Sequence, residues 1–172
     1  VSSEVTRALK GLAGVDVPAW TSVQADGAVV IGTASSPIVA GLGWGEVLKG
    51  LGPEGYVIRA TRIAGKRAIV VASEGDRGAL YGTFHLLRLL SIATPIQRLD
   101  VREKPRLQVR ILNHWDNLDG SIERGYGGRS LFWASLKVRD DLTKAGEYAR
   151  LLASLGINAD ATSAQLPQEA RV

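Results

Sequence analysis

Two prolines divide this chain. Thr94-Pro95 and Lys104-Pro105 bracket a short stretch, and a residue preceding proline is pushed out of helical geometry toward extended backbone. Whatever precedes Pro95 must finish before it, and a new element must start after Pro105. Upstream, residues 3–12 read as an amphipathic helix that Ser2 or Ser3 can cap. Val5, Leu9 and Leu12 share one face, and Gly14 stops it. Ala28–Thr33 is a short β-branched apolar run and predicts a buried strand. Ser35-Ser36-Pro37 starts a loose helical stretch that reaches Leu51, interrupted by Gly41, Gly43 and Gly45.

A hairpin follows, with strands over Tyr56–Arg62 and Arg67–Ala72 and a turn at Gly65-Lys66. Asp76–Leu90 is the most strongly helical segment, with Leu80, Phe84, Leu87 and Leu90 on one stripe. The order helix, strand, helix, strand, strand, helix predicts an α+β layer, a small sheet with helices on one face. Between the prolines, Ile96–Val101 reads as a final edge strand.

After Pro105 the pattern changes. Leu107–Leu112 alternates as a strand, some thirty polar, glycine-rich and aromatic residues read as a long loop, and Thr143–Leu155 is helical. Tyr148, Leu151, Leu152 and Leu155 share that helix's apolar face, and Gly156 ends it. A long ordered loop directly after a strand is where α/β proteins place their ligands.

Composition excludes several functions. The chain has 172 residues and no cysteine, so disulfides, thiolate metal sites and a cysteine nucleophile are ruled out. A complete (β/α)8 barrel of ordinary size needs about 250 residues and does not fit. The net charge of +4 is scattered, with no Lys/Arg run longer than two and no basic stripe interleaved with aromatics. That pattern gives no support to a nucleic-acid partner. No apolar stretch approaches the ~18 residues of a membrane span, and the residues from Val1 lack a signal-peptide pattern. A valine start in a chain without methionine suggests a trimmed or partial product.

Chemistry concentrates in Asn113-His114-Trp115-Asp116-Asn117-Leu118-Asp119-Gly120 and Glu123-Arg124-Gly125-Tyr126-Gly127-Gly128-Arg129. An indole offers a flat apolar face to a sugar ring, and adjacent carboxylates and amides can bond its hydroxyls. Asp116, Asp119 and Glu123 are candidates for acid/base work, although acidic residues so close together also cap turns, the role expected of Asp119. His114 is either a general base or an orienting group. With His85 the only other histidine and no cysteine, no metal site and no cofactor are expected. Gly125–Gly128 lacks the lysine and strand–turn–helix context of a phosphate loop. His85, Trp20 and Trp44 carry structural readings, and Arg88 a surface one.

The run from Val109 to Gly120, followed by Ile122-Glu123-Arg124-Gly125-Tyr126 and Gly128-Arg129-Ser130, resembles glycoside hydrolase family 67, the xylan α-glucuronidases. Gly78–Leu90, Gly52–Ile58 and Val30–Thr33 resemble parts of that family's N-terminal domain, so the likeness is colinear over about residues 1–158. The resemblance implies a β-hexosaminidase-like α+β N-terminal domain over 1–104. Residues 105–158 would then be the first strand, catalytic-face loop and first helix of an incomplete (β/α)8 barrel. It implies removal of (4-O-methyl-)glucuronic acid from xylo-oligosaccharides with inversion, by two carboxylates ~6.5–9.5 Å apart on later barrel strands. The partner it implies is a uronic-acid-substituted xylo-oligosaccharide, and for a full-length member it also allows a homo-oligomer. It places Trp115 in the uronic-acid subsite, with Asn113, His114, Asp116 and Glu123 around the same pocket. A cytoplasmic bacterial location goes with it.

The likeness ends after Gly156-Ile157-Asn158. Residues 159–172 lack strand alternation and are expected to be an unrelated or frameshifted tail. On this reading the chain is a truncated α-glucuronidase, catalytically incomplete. Its rival is a stand-alone carbohydrate-binding or assembly module.

Overall fold

A computed structural model describes residues 1–14 and 16–162; residues 163–172, most of the expected tail, lie outside the described residues. The chain divides into two units, Val1–Arg106 and Leu107–Val172.

The first unit is built on a four-stranded sheet in the order β1-β3-β2-β4. Its strands are β1 (Ala28–Thr33), β2 (Tyr56–Ile63), β3 (Lys66–Ser73) and β4 (Asp100–Glu103). β2 and β3 form the expected hairpin, in a register pairing Ile63 with Lys66. The turn is therefore Ala64-Gly65, one residue earlier than expected, with φ of 50° and 79°. Positive φ at both central residues is the turn whose twist matches antiparallel strands. β1 runs parallel to β3, and β4 closes the other edge antiparallel to β2. A single turn of 3-10 helix, Ile96–Arg98, occupies the start of the segment expected as edge strand.

The sheet is covered on both faces, which corrects the expectation of helices on one face only. From Ala68 to Ser73 every residue of β3 is buried, so alternate side chains need cover on opposite sides. Helix α4 (Asp76–Ser91) covers one side, where Leu86 packs with Ile58, Ile69 and Val71. Two short helices, α2 (Pro37–Ala40) and α3 (Gly45–Lys49), cover the other by setting Val39 and Leu48 against Val57, Val70 and Ala72.

The buried face of α4 also differs from the expected leucine stripe. It consists of Gly78, Ala79, Tyr81, Gly82, Thr83 and Leu86, while Leu80, Phe84 and Leu87 are only half-buried. Small residues let the helix sit close on the sheet: a Cβ on Gly82 would stand 2.7 Å from Val71 Cγ1 and 2.9 Å from the Tyr56 ring. Such contacts leave no room for a side chain.

Helix α1 (Ser2–Ala13) runs one residue past its expected span at each end, with Ser2 and Ser3 inside the helix and no side-chain cap; it ends at Gly14, φ 70°, and buries none of its residues. β1, expected to be buried, is half-buried throughout, because it is an edge strand and a cleft of about 750 Å³ opens over Val29 and Ile31 between it, α1 and the 17–27 segment. Trp20, given a structural reading, lines this cleft at 65% exposure and is not packed into the core. Trp44 does pack against the core and carries the Arg59 guanidinium 5.0 Å above its ring.

The second unit holds β5 (Ile111–His114), a small hairpin of β6 (Trp133–Ala134) and β7 (Lys137–Val138), α5 (Thr143–Ser154) and β8 (Ala159–Thr162). The expected strand at Leu107–Leu112 is displaced toward the C-terminus. The Asn158 side chain accepts from Arg110 N–H and donates to the Gln108 carbonyl, so 108–110 lead into the strand under side-chain control. β8 pairs parallel with β5, from Ile111 with Ala159 to His114 with Thr162. Residues 159–162, expected in the tail, are thus a strand, formed because β5 offers a backbone edge that outweighs their poor strand propensity. Apart from Leu152, no apolar residue described in this unit is buried, and Ile111, Leu112, Leu151 and Leu155 are exposed. Among the described residues no helix is long and apolar enough to cross a membrane.

Candidate functional site

Side chains alternate across a strand, so neighbours on β5 cannot converge. Leu112 pairs with Asp160 and Asn113 with Ala161. Leu112, His114 and Asp160 therefore share one face, and Asn113, exposed, stands on the other.

His114 is the best-held of the five predicted residues. Its Nε2 lies 3.0 Å from the Tyr148 hydroxyl on α5 and 3.0 Å from Asp160 Oδ1 on β8. The rings of Phe132 and Tyr148 meet it edge-on, with centroids 5.6 Å and 5.3 Å away. Burial, then the charges of Asp160 and Asp116, hold the Tyr148 hydroxyl above its ordinary pKa, so it stays protonated near neutrality.

Asp116 turns inward. It is 2% exposed and Ser130 is 3% exposed, and the Ser130 hydroxyl donates to the Asp116 carboxylate. The same Ser130 oxygen accepts from the backbone N–H groups of Phe132 and Trp133. Asp116 also bridges Ile122 across the loop, and Asn117 Nδ2 donates to Ser121 Oγ and the Glu123 carbonyl. The expected long loop is thus a folded lobe with its own polar centre. Asp119 has the turn-forming role expected of it: its Oδ1 accepts from Ser121 N–H and Ser121 Oγ, which holds its carboxyl below the ordinary range.

Trp115 is exposed and Glu123 half-buried. Trp115 is 41% exposed, and its backbone carbonyl accepts from Glu123 N–H at 2.8 Å. Glu123 has φ 55°, uncommon for a residue with a side chain. Its carboxylate accepts from the Tyr126 hydroxyl and raises that group's pKa. The lobe therefore joins the backbones of the exposed Trp115 and the half-buried Glu123, commits Asp116 to its interior, directs His114 to the α5 side and leaves Asn113 on the opposite strand face. An exposed indole can stack on a sugar ring, and a carboxylate can accept from its hydroxyls. Among the described residues, no group of three or more His, Asp or Glu is placed to hold a metal ion.

Tyr148, Ser130, Phe132 and Asp160 escaped the sequence reading. Tyr148 was legible only as part of a helical apolar face, and Asp160 fell in the expected tail. What links them to His114 and Asp116 is the β5–β8 register and the fold of the lobe, which no local pattern encodes.

Residues 1–86 match the glycosyl hydrolase family 67 N-terminus and residues 89–164 the glycosyl hydrolase family 67 middle domain. The second match continues past residue 158, where the likeness was expected to stop. Alpha-glucuronidase A of Emericella nidulans is 38% identical over 166 residues, 91% of this chain and 19% of that protein. A probable alpha-glucuronidase A of Aspergillus terreus is 46% identical over 90 residues, 52% of this chain and 11% of that protein. The chain thus spans less than a fifth of the length of these relatives. A solved family GH115 4-O-methyl-alpha-glucuronidase with specificity for decorated arabinogalactans superimposes with a TM-score of 0.59 over 94% of this chain and 22% of that chain. At 16% identity that likeness is one of fold.

Proposed function

The chain belongs to glycosyl hydrolase family 67, and from that premise we propose that it carries the N-terminal domain and the opening strands of the catalytic barrel of an α-glucuronidase. The activity would be inverting removal of (4-O-methyl-)glucuronic acid from xylo-oligosaccharides. The observation that carries this reading is the parallel β5–α5–β8 unit with an ordered, aromatic lobe directly beyond the C-terminal end of β5. In a βα barrel that is the face where substrate binds.

In this reading Trp115 contacts the uronic acid, Glu123 and Asn113 offer hydrogen bonds at its margin, and His114 and Asp116 support the lobe from within. The acid and base required for inversion would come from barrel strands beyond these residues, and the chain by itself binds without turning over. Two measurements on the 172-residue chain test this. Incubation with aldobiouronic acid should release no glucuronic acid, and measurable release would overturn the assignment of the catalytic carboxylates to later strands. Glucuronic acid should quench tryptophan fluorescence in the native chain and not in Trp115→Ala. An identical response in both proteins would remove Trp115 from the binding site.

A further inference from the structure

We propose that Tyr126 is a specificity-determining residue, whose ring stacks on the neutral sugar next to the uronic acid held by Trp115. The assignment rests on the reading of Trp115 as the uronic-acid contact and adds a second sugar subsite to it. Backbone pairing within the lobe puts the two residues at one end. Asp116 bridges Ile122 antiparallel, Glu123 N–H donates to the Trp115 carbonyl at 2.8 Å, and Asn117 N–H donates to the Ser121 carbonyl at 2.9 Å. Residues 115–117 and 121–123 therefore form a short hairpin with its turn at 118–120. At the open end stand Trp115 on one arm and, leaving the other, the turn that carries Tyr126.

That turn is closed on Ile122. The Ile122 carbonyl accepts from Gly125 N–H at 3.0 Å and from Gly127 N–H at 3.4 Å. Gly125 takes φ 96°, a backbone region that glycine enters freely, and a Cβ on Gly127 would stand 2.9 Å from Ile122 Cγ2. The backbone on both sides of Tyr126 is thus held, while Tyr126 itself is 75% exposed. Its hydroxyl donates to the Glu123 carboxylate, which tethers the ring at its outer end as well. Phe132 and Trp133 of the same lobe are half-buried, so Trp115 and Tyr126 are the aromatic residues it exposes. A tyrosine offers a large flat contact and has only two side-chain torsions to lose on binding. Holding the ring in place beforehand reduces that loss further. A xylopyranose has no exocyclic carbon, so the C–H face of its ring can lie flat on such a surface.

Tryptophan fluorescence of the 172-residue chain, titrated with glucuronic acid and separately with aldotriouronic acid, tests the assignment. The first ligand is a single ring, and the second carries the uronic acid on xylobiose. The native chain should bind aldotriouronic acid several-fold more tightly than glucuronic acid. Tyr126→Ala should lose that advantage and keep the native affinity for glucuronic acid. Tyr126→Phe keeps the ring, loses only the tether, and should retain most of the advantage. Equal affinity of the native chain for the two ligands overturns the second subsite, as does an undiminished advantage in Tyr126→Ala. Weakening of both ligands alike in Tyr126→Ala also overturns it, because a merely structural residue would act that way. If Tyr126→Phe matches Tyr126→Ala, the contact is made by the hydroxyl and the stacking role falls. A native chain that responds to neither ligand defeats the reading of Trp115 itself, and the Tyr126 assignment goes with it.

Discussion

The Ser130 hydroxyl donates to the carboxylate of Asp116, fourteen residues earlier in the chain, and both residues are almost wholly buried. Asp116 lies immediately after the exposed Trp115, so this pair sets the base on which the candidate sugar contact stands. Removing the hydroxyl leaves a buried carboxylate without that donor and takes away the oxygen that accepts from the Phe132 and Trp133 N–H groups. Ser130→Ala should cost the lobe about 2–3 kcal/mol. Hydrogen exchange across residues 115–134 checks this: the lobe amides should lose protection while those of β3 keep theirs.

Gly82→Ala tests the close seat of α4. Helix propensity alone would favour alanine by about 1 kcal/mol. The added Cβ would meet Val71 Cγ1 and the Tyr56 ring at 2.7 Å and 2.9 Å, an overpacking that costs about 1–3 kcal/mol. The steric term should win, with a lower urea midpoint at unchanged slope. Gly78→Ala should be worse, since its Cβ would meet the Gly55 backbone oxygen at 2.4 Å.

The turn at Ala64-Gly65 offers the opposite sign. Ala64 has φ 50°, a conformation that L-residues other than asparagine and glycine adopt at a cost. Ala64→Asn creates the preferred Asn-Gly pair for this turn and should raise stability by about 0.5–1 kcal/mol. Thermal unfolding of the two proteins side by side decides it, and a lower midpoint in the variant would contradict the turn geometry.

Tyr56 and His85 give the first unit a pH dependence with two limbs. The Tyr56 hydroxyl lies 3.0 Å from His85 Nδ1. Burial pushes the Tyr56 pKa up to about 12, helped by the Glu103 charge and opposed by Arg88. Burial also pulls His85 below its ordinary value of 6.5. In the folded state both groups therefore favour the neutral form. The His85 contribution is present above pH 6.5 and lost as pH falls below it; the Tyr56 contribution is present below pH 10 and lost as pH rises from 10 to about 12. Denaturation midpoints across pH 5–11 should fall at both ends, with His85→Gln flattening the acid limb and Tyr56→Phe the alkaline one.

The elements of the first unit were legible because their signals are local. Ala28–Thr33 is a strand with its expected bounds, and α4 runs one residue past its expected end. Which face α4 buries was not legible, since its leucines outweigh Gly78 and Gly82 in any hydrophobic count, and only the shape of the sheet favours the glycines. The cover of the second sheet face was hidden for a related reason: α2 and α3 have four and five residues, too short for a periodic signal. In the candidate site, Trp115 and Glu123 were nameable from residue type. That Asp116 faces inward and that His114 meets Asp160 depends on partners fourteen and forty-six positions away.

The near-absence of buried apolar side chains in the second unit has a thermodynamic consequence. Among its described residues Leu152 is the only buried large apolar side chain, while hydrogen bonds of Asn158, Arg110, Asn117 and Ser130 tie its segments together. Heat capacity on unfolding rises with exposed apolar area and falls with exposed polar area. Melting of residues 107–162 should therefore contribute little to the calorimetric heat-capacity step, which would come almost entirely from the sheet of the first unit. The lobe that bears Trp115 would then be held in place largely by enthalpy, and it would loosen gradually with temperature rather than share a single sharp transition.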